Sequence, residues 1–308
     1  KNLVQRYLQG LGKTKTNLKM TLLEAFTSVF LAYVFMYGKL GWPRMGLLGS
    51  ALSFLTSQLL VAIVCGYQLT QLQRRGKVLL SFHACKQVRF KALKKIFLLG
   101  IFLGLSYSCR TAFNSAIMII AGRLGETQLR VFSSIKTIRR PCYAIIFSVA
   151  AMGRILISKY QHQPEKKRNI SHFSYILITL ASFLIGAVLY LGGTPMLRWM
   201  DKTATPAFLT HCQQILPFEM LFIWIDGLAF LSIALLAGTK VTVYPAFIVF
   251  FTSFTIGCPL ANILANDFNL GLEGIYIALC SSALIAFIAT YGYLHHKTKN
   301  HPLATSIS

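Results

Sequence analysis

The segment "FLGLSYSCRTAFNSAIMII", residues 102–120, indicates what kind of structure this chain forms. It is apolar and close to the length of about 20 residues that a helix needs to cross the hydrocarbon core of a bilayer. It also carries Arg110 near its middle. An unpaired arginine at the centre of a membrane helix costs about 2.5 to 3.5 kcal/mol even on the scale that gives the smallest value. The sequence therefore predicts a membrane helix whose buried charge has a partner or a use.

Apolar stretches of similar length recur along the whole chain. Its 308 residues are 55% hydrophobic and 13% charged, whereas soluble domains carry about 25% charged residues. We therefore predict an all-α membrane protein with eight transmembrane helices. The predicted spans are 20–38, 46–69, 96–122, 131–157, 173–191, 212–237, 243–264 and 272–294.

The positive charge of the chain is large and follows the loops. The formal net charge is +23, and Lys and Arg concentrate before the first span and in the loops at 74–95 and 159–168. Cytoplasmic loops carry this excess, so the pattern predicts a multi-pass protein of the cytoplasmic (inner) membrane with both termini cytoplasmic. It argues against a nucleic-acid partner and for contact of the basic loops with membrane lipids.

The sequence shows no pattern of a metal centre or of a catalytic site. The seven cysteines contain no Cys-x-x-Cys pair, and the spans contain no nucleophile–base arrangement, no metal-spaced histidines and no phosphate-binding loop. We therefore expect no enzyme activity, no metal and no cofactor.

An internal repeat relates the two ends of the chain. A shift of 225 residues without gaps places "GLLG" at 46–49 on "GLEG" at 271–274 and Ser57 on Ser282. The same shift places Thr14-Lys15 on Thr239-Lys240, and Phe26-Thr27-Ser28 on Phe251-Thr252-Ser253. Spans one and two thus repeat as spans seven and eight.

The repeat predicts the domain organisation. Residues 96–237 have no earlier counterpart, so a six-helix repeat predicts a twelve-helix protein of which this chain lacks the first four helices. The predicted parts are 1–75 (the last two helices of a truncated N-terminal lobe), 76–95 (a basic cytoplasmic linker), 96–294 (a six-helix C-terminal lobe) and 295–308 (a cytoplasmic tail). Two six-helix halves are a common transporter design.

Charged residues inside the spans mark the candidate pathway for a cation or a substrate. They are Arg110, Lys136, Arg139, Arg140, Glu219 and Asp226. The three basic residues of span four share one helix face, as do the two acidic residues of span six, and a charged face cannot point at lipid. A carboxylate deep in an apolar helix needs a metal ion, a proton or a guanidinium. We predict that Arg110 and Asp226, both near the middle of their spans, pair with each other.

Four motifs resemble the multidrug and toxic compound extrusion (MATE) transporters. They are "RYLQGLGKTK" at 6–15, "YGKLGWPRMGLLGSAL" at 37–52, "GRLGE" at 122–126 and "FIWIDGLAFLSIALLAGTK" at 222–240. The resemblance implies a fold of twelve helices in two lobes, with this chain similar to helices five to twelve. It also implies export of small organic molecules in exchange for Na+ or H+, and we expect a monomer.

The resemblance also indicates where this chain departs from the family. Asp226 falls on the family's helix-ten aspartate, and Arg110 stands where many members have a helix-seven carboxylate. Because a guanidinium does not deprotonate in proteins, we expect altered or lost cation coupling, or a more anionic substrate. The alternatives are a lipid-linked saccharide flippase of the same superfamily, whose phosphate head groups would suit the basic face, and a non-transporting remnant.

Overall fold

The described residues of this chain are mostly helical. In the computed structural model the described residues are 14–39, 41, 43–74, 90–160, 163–200 and 205–299. Within these residues there are eight helices and no strand. The helices are α1 (Thr14–Tyr37), α2 (Gly46–Arg74), α3 (Phe90–Arg123), α4 (Glu126–Lys159), α5 (Pro164–Met200), α6 (Pro206–Gly238), α7 (Val243–Asp267) and α8 (Gly271–Lys299). Each predicted span falls on one of them, which confirms the all-α membrane fold.

Seven of these helices are long and apolar enough to cross a membrane over their described residues. The exception is α3, whose described part includes Arg110 and Asn114. These two polar side chains lower the mean hydropathy of the middle of α3. Most helices extend past the predicted spans; α5, for example, runs over Pro164–Met200 where the apolar pattern marked 173–191.

The chain divides into two compact units, Lys1–Arg89 and Phe90–Ser308. In the first unit, α1 and α2 pack against each other. Met20, Val61 and Cys65 form a small buried cluster between them. The Gln58 amide donates a hydrogen bond to the carboxylate of Glu24 at 2.9 Å. The one carboxylate inside α1 is therefore joined to its neighbouring helix.

The second unit is built around α6, which packs against α4, α5 and α8. Thr205 caps the start of α6, where its side chain accepts a hydrogen bond from the backbone N–H of Phe208 at 3.4 Å, and Pro206 occupies the first turn. Proline is favoured there because its missing N–H would have no helical partner. Both carboxylates of α6, those of Glu219 and Asp226, are buried inside the bundle.

Helix α7 changes its hydrogen-bonding pattern along its length. It runs as an α segment (Val243–Phe250), a π segment (Phe251–Gly257), a second α segment (Cys258–Asn262) and a second π segment (Ile263–Asp267). It packs against α3 and α8. Such wide turns within α-helices are rare and are frequently found at functional sites.

The two Gly-x-x-Gly sequences adopt the same geometry. Gly46 and Gly271 have positive φ values of 52° and 56°, which a glycine adopts without steric cost. A Cβ atom on Gly49 would lie 2.6 Å from the backbone carbonyl of Phe35, and one on Gly274 would lie 2.8 Å from that of Leu264. Each second glycine therefore lets its helix begin against the last turn of the preceding helix.

Further contacts support this equivalence and correct one part of the repeat. The N–H groups of Met45 and Leu270 donate to the carbonyls of Phe35 and Leu264, both at 3.2 Å. The two acceptors are 229 residues apart, four more than the shift between the glycines. The last turn of the helix before each glycine pair is therefore offset by a further four residues. The ungapped shift is wrong at this turn, because it cannot account for the shorter turn before α8, whereas the matches of Thr14-Lys15 and Phe26-Thr27-Ser28, further along the two helices, stay predictions.

Candidate functional site

Three helices of the second unit bring charged groups together around Asp226. The carboxylate of Asp226 on α6 forms an ion pair with the guanidinium of Arg110 on α3. The hydroxyl of Tyr143 on α4 donates a hydrogen bond to the same carboxylate oxygen at 2.6 Å. The side chain of Asp226 is 8% exposed and that of Arg110 is 23% exposed. Burial with a charged partner and a hydroxyl donor satisfies a carboxylate that would otherwise be costly to place there.

Arg110 is held on its other sides as well. Its guanidinium lies 5.4 Å from the centre of the Phe230 ring, a distance at which a cation is attracted to an aromatic face. The side-chain amide of Asn114, one turn further along α3, donates to the backbone carbonyl of Arg110 at 2.9 Å. The charge of Arg110 is therefore compensated inside the protein by the carboxylate of Asp226.

A second ion pair lies beside the first. Nη1 of Arg139 on α4 donates to both carboxylate oxygens of Glu219 on α6, at 3.0 and 3.3 Å. The Glu219 side chain is fully buried. The Arg139 guanidinium also lies 5.4 Å from the ring centre of Tyr143 and 5.1 Å from that of Phe222. Both acidic groups of α6 are therefore paired with an arginine from another helix.

These groups border a cavity of about 330 Å³ within the second unit. Its wall combines charged, hydroxyl-bearing and apolar side chains from α3, α4, α6, α7 and α8. Four cations line it, namely Arg110, Lys136, Arg139 and Arg140. The one carboxylate among its lining residues is Asp226. The cavity wall is therefore strongly basic.

The two remaining cations differ from the paired ones. Nζ of Lys136 lies 3.5 Å from the backbone oxygen of Asn114 and 5.9 Å from the centre of the Phe132 ring. Over the described part of the chain, neither Lys136 nor Arg140 lies within ion-pair distance of a carboxylate. The positive charges of Lys136 and Arg140 can therefore interact with a ligand in the cavity.

Five of the six residues predicted from the sequence line this one cavity. The sixth, Glu219, is absent from the cavity wall and holds Arg139 in place instead. Tyr143 was not among the predicted residues, although it follows Arg139 by four residues and so lies on the same face of α4. It also did not assign a role to the hydroxyl residues Thr252, Ser253 and Ser282, which line the cavity from α7 and α8.

The MatE family profile matches residues 103–263, more than half of the chain. A protein of Listeria monocytogenes, "Probable multidrug resistance protein NorM", is 26% identical over 289 residues, which are 92% of this chain and 62% of that protein. A protein of the same name from Thermotoga maritima is 24% identical over 293 residues, 90% of this chain and 59% of the relative. The chain thus spans less than two thirds of the length of either relative.

Solved structures share the fold. The crystal structure of MATE in the straight conformation superposes with a TM-score of 0.85 at 18% identity, covering 97% of this chain and 66% of that one. A MOP superfamily transporter from Pyrococcus furiosus gives a TM-score of 0.85 at 17% identity, with the same coverage of 97% and 66%. For that transporter, the reverse polarity of its binding pocket is said to suggest a different function. At these identities the likeness shows the fold alone.

Proposed function

Because this chain belongs to the MatE family, we propose that it is part of a multi-pass efflux transporter of the cytoplasmic membrane whose coupling site holds a fixed cation. The ion pair between Arg110 and Asp226 carries this proposal. The relatives named multidrug resistance proteins support export of small organic compounds as the activity. The distribution of Lys and Arg supports cytoplasmic placement of both termini.

A coupling ion would compete with Arg110 for the carboxylate of Asp226. Asp226 already accepts hydrogen bonds from Arg110 and from Tyr143. A mobile Na+ or H+ would have to displace a guanidinium that is tethered to α3 and stays protonated in proteins. We therefore expect this site to be closed to a coupling ion, so that cation dependence is altered or lost.

Export itself is tested in cells. The gene product that contains this chain is expressed in a bacterial host that lacks its major efflux pumps, and the accumulation of fluorescent organic compounds is measured. Lower accumulation than in cells with an empty vector supports an exporter. Unchanged accumulation over a broad panel of organic compounds would contradict the exporter and favour either the flippase or the non-transporting remnant.

The fixed-cation part of the proposal is tested on purified protein. We expect Na+ to stabilise Arg110→Glu against heating more than K+ does at equal ionic strength, because a second carboxylate then faces Asp226. The wild-type protein and Arg123→Glu, a control at the exposed end of the same helix, are expected to respond equally to the two salts. An equal response of Arg110→Glu to both salts, with Asp226 still present, contradicts this part.

A second candidate function is a lipid-linked saccharide flippase. Lys136 and Arg140 favour it, because basic side chains bind the phosphate groups of such lipids. Tight binding of a polyprenyl phosphate together with no effect on drug accumulation would favour the flippase over the exporter.

A further inference from the structure

The charges around the cavity do not balance. Four cations line it, and two carboxylates, those of Asp226 and Glu219, neutralise two of them. Arg110 and Arg139 are used in these pairs. Lys136 and Arg140 keep two positive charges facing the cavity, with no carboxylate of the described residues beside them.

The two remaining cations lie close together on one helix. Lys136 and Arg140 are four residues apart on α4, so their side chains are neighbours on its surface. Like charges at this spacing repel each other. A bound anion would relieve this repulsion. Neither the Asn114 carbonyl nor the Phe132 ring near Lys136 carries a negative charge.

The apolar part of the cavity wall indicates what kind of ligand body the cavity would accept. Phe113, Phe147, Ile233 and Val249 line the cavity with apolar surface. Its volume of about 330 Å³ lies at the lower end of the range for small-molecule sites, about 300 to 1,000 Å³. The cavity therefore suits a compact molecule with one charged end and one apolar end.

The geometry points to an organic phosphate, a dianionic head on an apolar body, as the ligand of this cavity, with Lys136 and Arg140 binding the head. This inference rests on the proposed function and names its class of substrate. A phosphate monoester carries about two negative charges at neutral pH, which matches the two unpaired cations. The planar guanidinium of Arg140 can donate two parallel hydrogen bonds to phosphate oxygens, and Lys136 adds a point charge.

The binding test uses small probes that share an aromatic body. Phenyl phosphate, benzoate and benzylammonium are titrated into the purified gene product, and the melting temperature and the heat of binding are measured. We expect phenyl phosphate to raise the melting temperature with concentration, benzoate to do so more weakly and benzylammonium to have no effect. In Lys136→Gln/Arg140→Gln the affinity for phenyl phosphate should fall by about tenfold or more, because hydrogen bonds to charged groups are lost.

Two controls separate binding from folding. Arg123→Gln/Lys159→Gln removes the same charge from exposed helix ends outside the cavity, and its affinity for phenyl phosphate should equal that of the wild type. Without ligand, Lys136→Gln/Arg140→Gln should melt at or above the wild-type temperature, because a repulsion has been removed. Full affinity in that variant, no binding of phenyl phosphate to a cooperatively folded protein, or stronger binding of benzylammonium would each overturn the inference. None of these results changes the outcome of the Arg110→Glu test with Na+, so the two proposals fail separately.

A change of lipid composition distinguishes a lipid head group from a soluble organic phosphate as the ligand. The titration is repeated in nanodiscs of phosphatidylcholine alone and in nanodiscs that also contain phosphatidic acid. Competition by phosphatidic acid, abolished in Lys136→Gln/Arg140→Gln, supports the inference with a lipid head group as the ligand. Equal affinity in both membranes supports it with a soluble organic phosphate.

Discussion

The buried pair of Arg139 and Glu219 makes a prediction whose size follows from the structure. Glu219 is fully buried and receives one guanidinium nitrogen on both of its oxygens. Glu219→Gln keeps the shape of the side chain and removes its charge, so the Arg139 charge stays buried without a counter-ion. Breaking a buried pair from one side costs about 3 to 5 kcal/mol. At about 2 to 4 °C per kcal/mol for a domain of this size, the melting temperature should fall by about 6 to 20 °C.

The assay measures the fraction of monodisperse protein that survives heating, by size-exclusion chromatography in detergent. Glu126→Gln, an exposed position in the first turn of α4, is the matched control and should shift stability by about 0.5 kcal/mol or less. A double variant, Arg139→Met/Glu219→Leu, should recover the wild-type stability or exceed it by about 1 to 4 kcal/mol, because no charge then remains buried. If Glu219→Gln melts at the same temperature as the wild type, the predicted cost of the unpaired Arg139 charge is wrong. A double variant no more stable than Glu219→Gln would contradict it as well.

Two further predictions concern contacts around this core. Tyr143→Phe removes the hydroxyl that donates to Asp226 and should lower the free energy of unfolding by about 1.5 to 3 kcal/mol. The same heating assay measures this against Tyr190→Phe, a change at an exposed tyrosine of α5. Equal melting temperatures of the two variants would contradict the assigned hydrogen bond. Gly274→Ala would place a Cβ 2.8 Å from backbone atoms of α7 and should lower the free energy of unfolding by about 1 to 3 kcal/mol. Gly292→Ala, in the same helix with open space around it, should be neutral or stabilising by up to about 1 kcal/mol. A Gly274→Ala protein more stable than Gly292→Ala would contradict the close contact.

The helices could be read from the sequence because lipid imposes a simple requirement on length and polarity. That requirement marks the apolar centre of each helix and is silent about its ends. Helix α3 shows the difference, since it begins at Phe90 and ends at Arg123 whereas the apolar pattern marked 96–122. Polar and basic turns continue a helix into the interface, where hydropathy no longer identifies it.

The candidate site could be anticipated where its residues are charged. A charge in an apolar span is costly, so the positions of Arg110 and Asp226 predicted a partner for each. Tyr143 gave no such signal, because a tyrosine among apolar residues is common in packed cores. The four-residue correction to the repeat could not be predicted either, since it depends on the length of a turn that an ungapped comparison ignores.

The π segments of α7 would allow one wall of the cavity to rearrange. In a π turn each N–H bonds one residue further back than in an α turn, so the segment holds an extra residue. Shifting the hydrogen bonds of Phe251–Gly257 by that one residue would turn the part of α7 before Phe251 by about 100° relative to the part after Gly257. Thr252 and Ser253 lie in this segment and face the cavity. Such a shift would thus replace the two hydroxyls in the cavity wall by neighbouring side chains while the other helices stay in place.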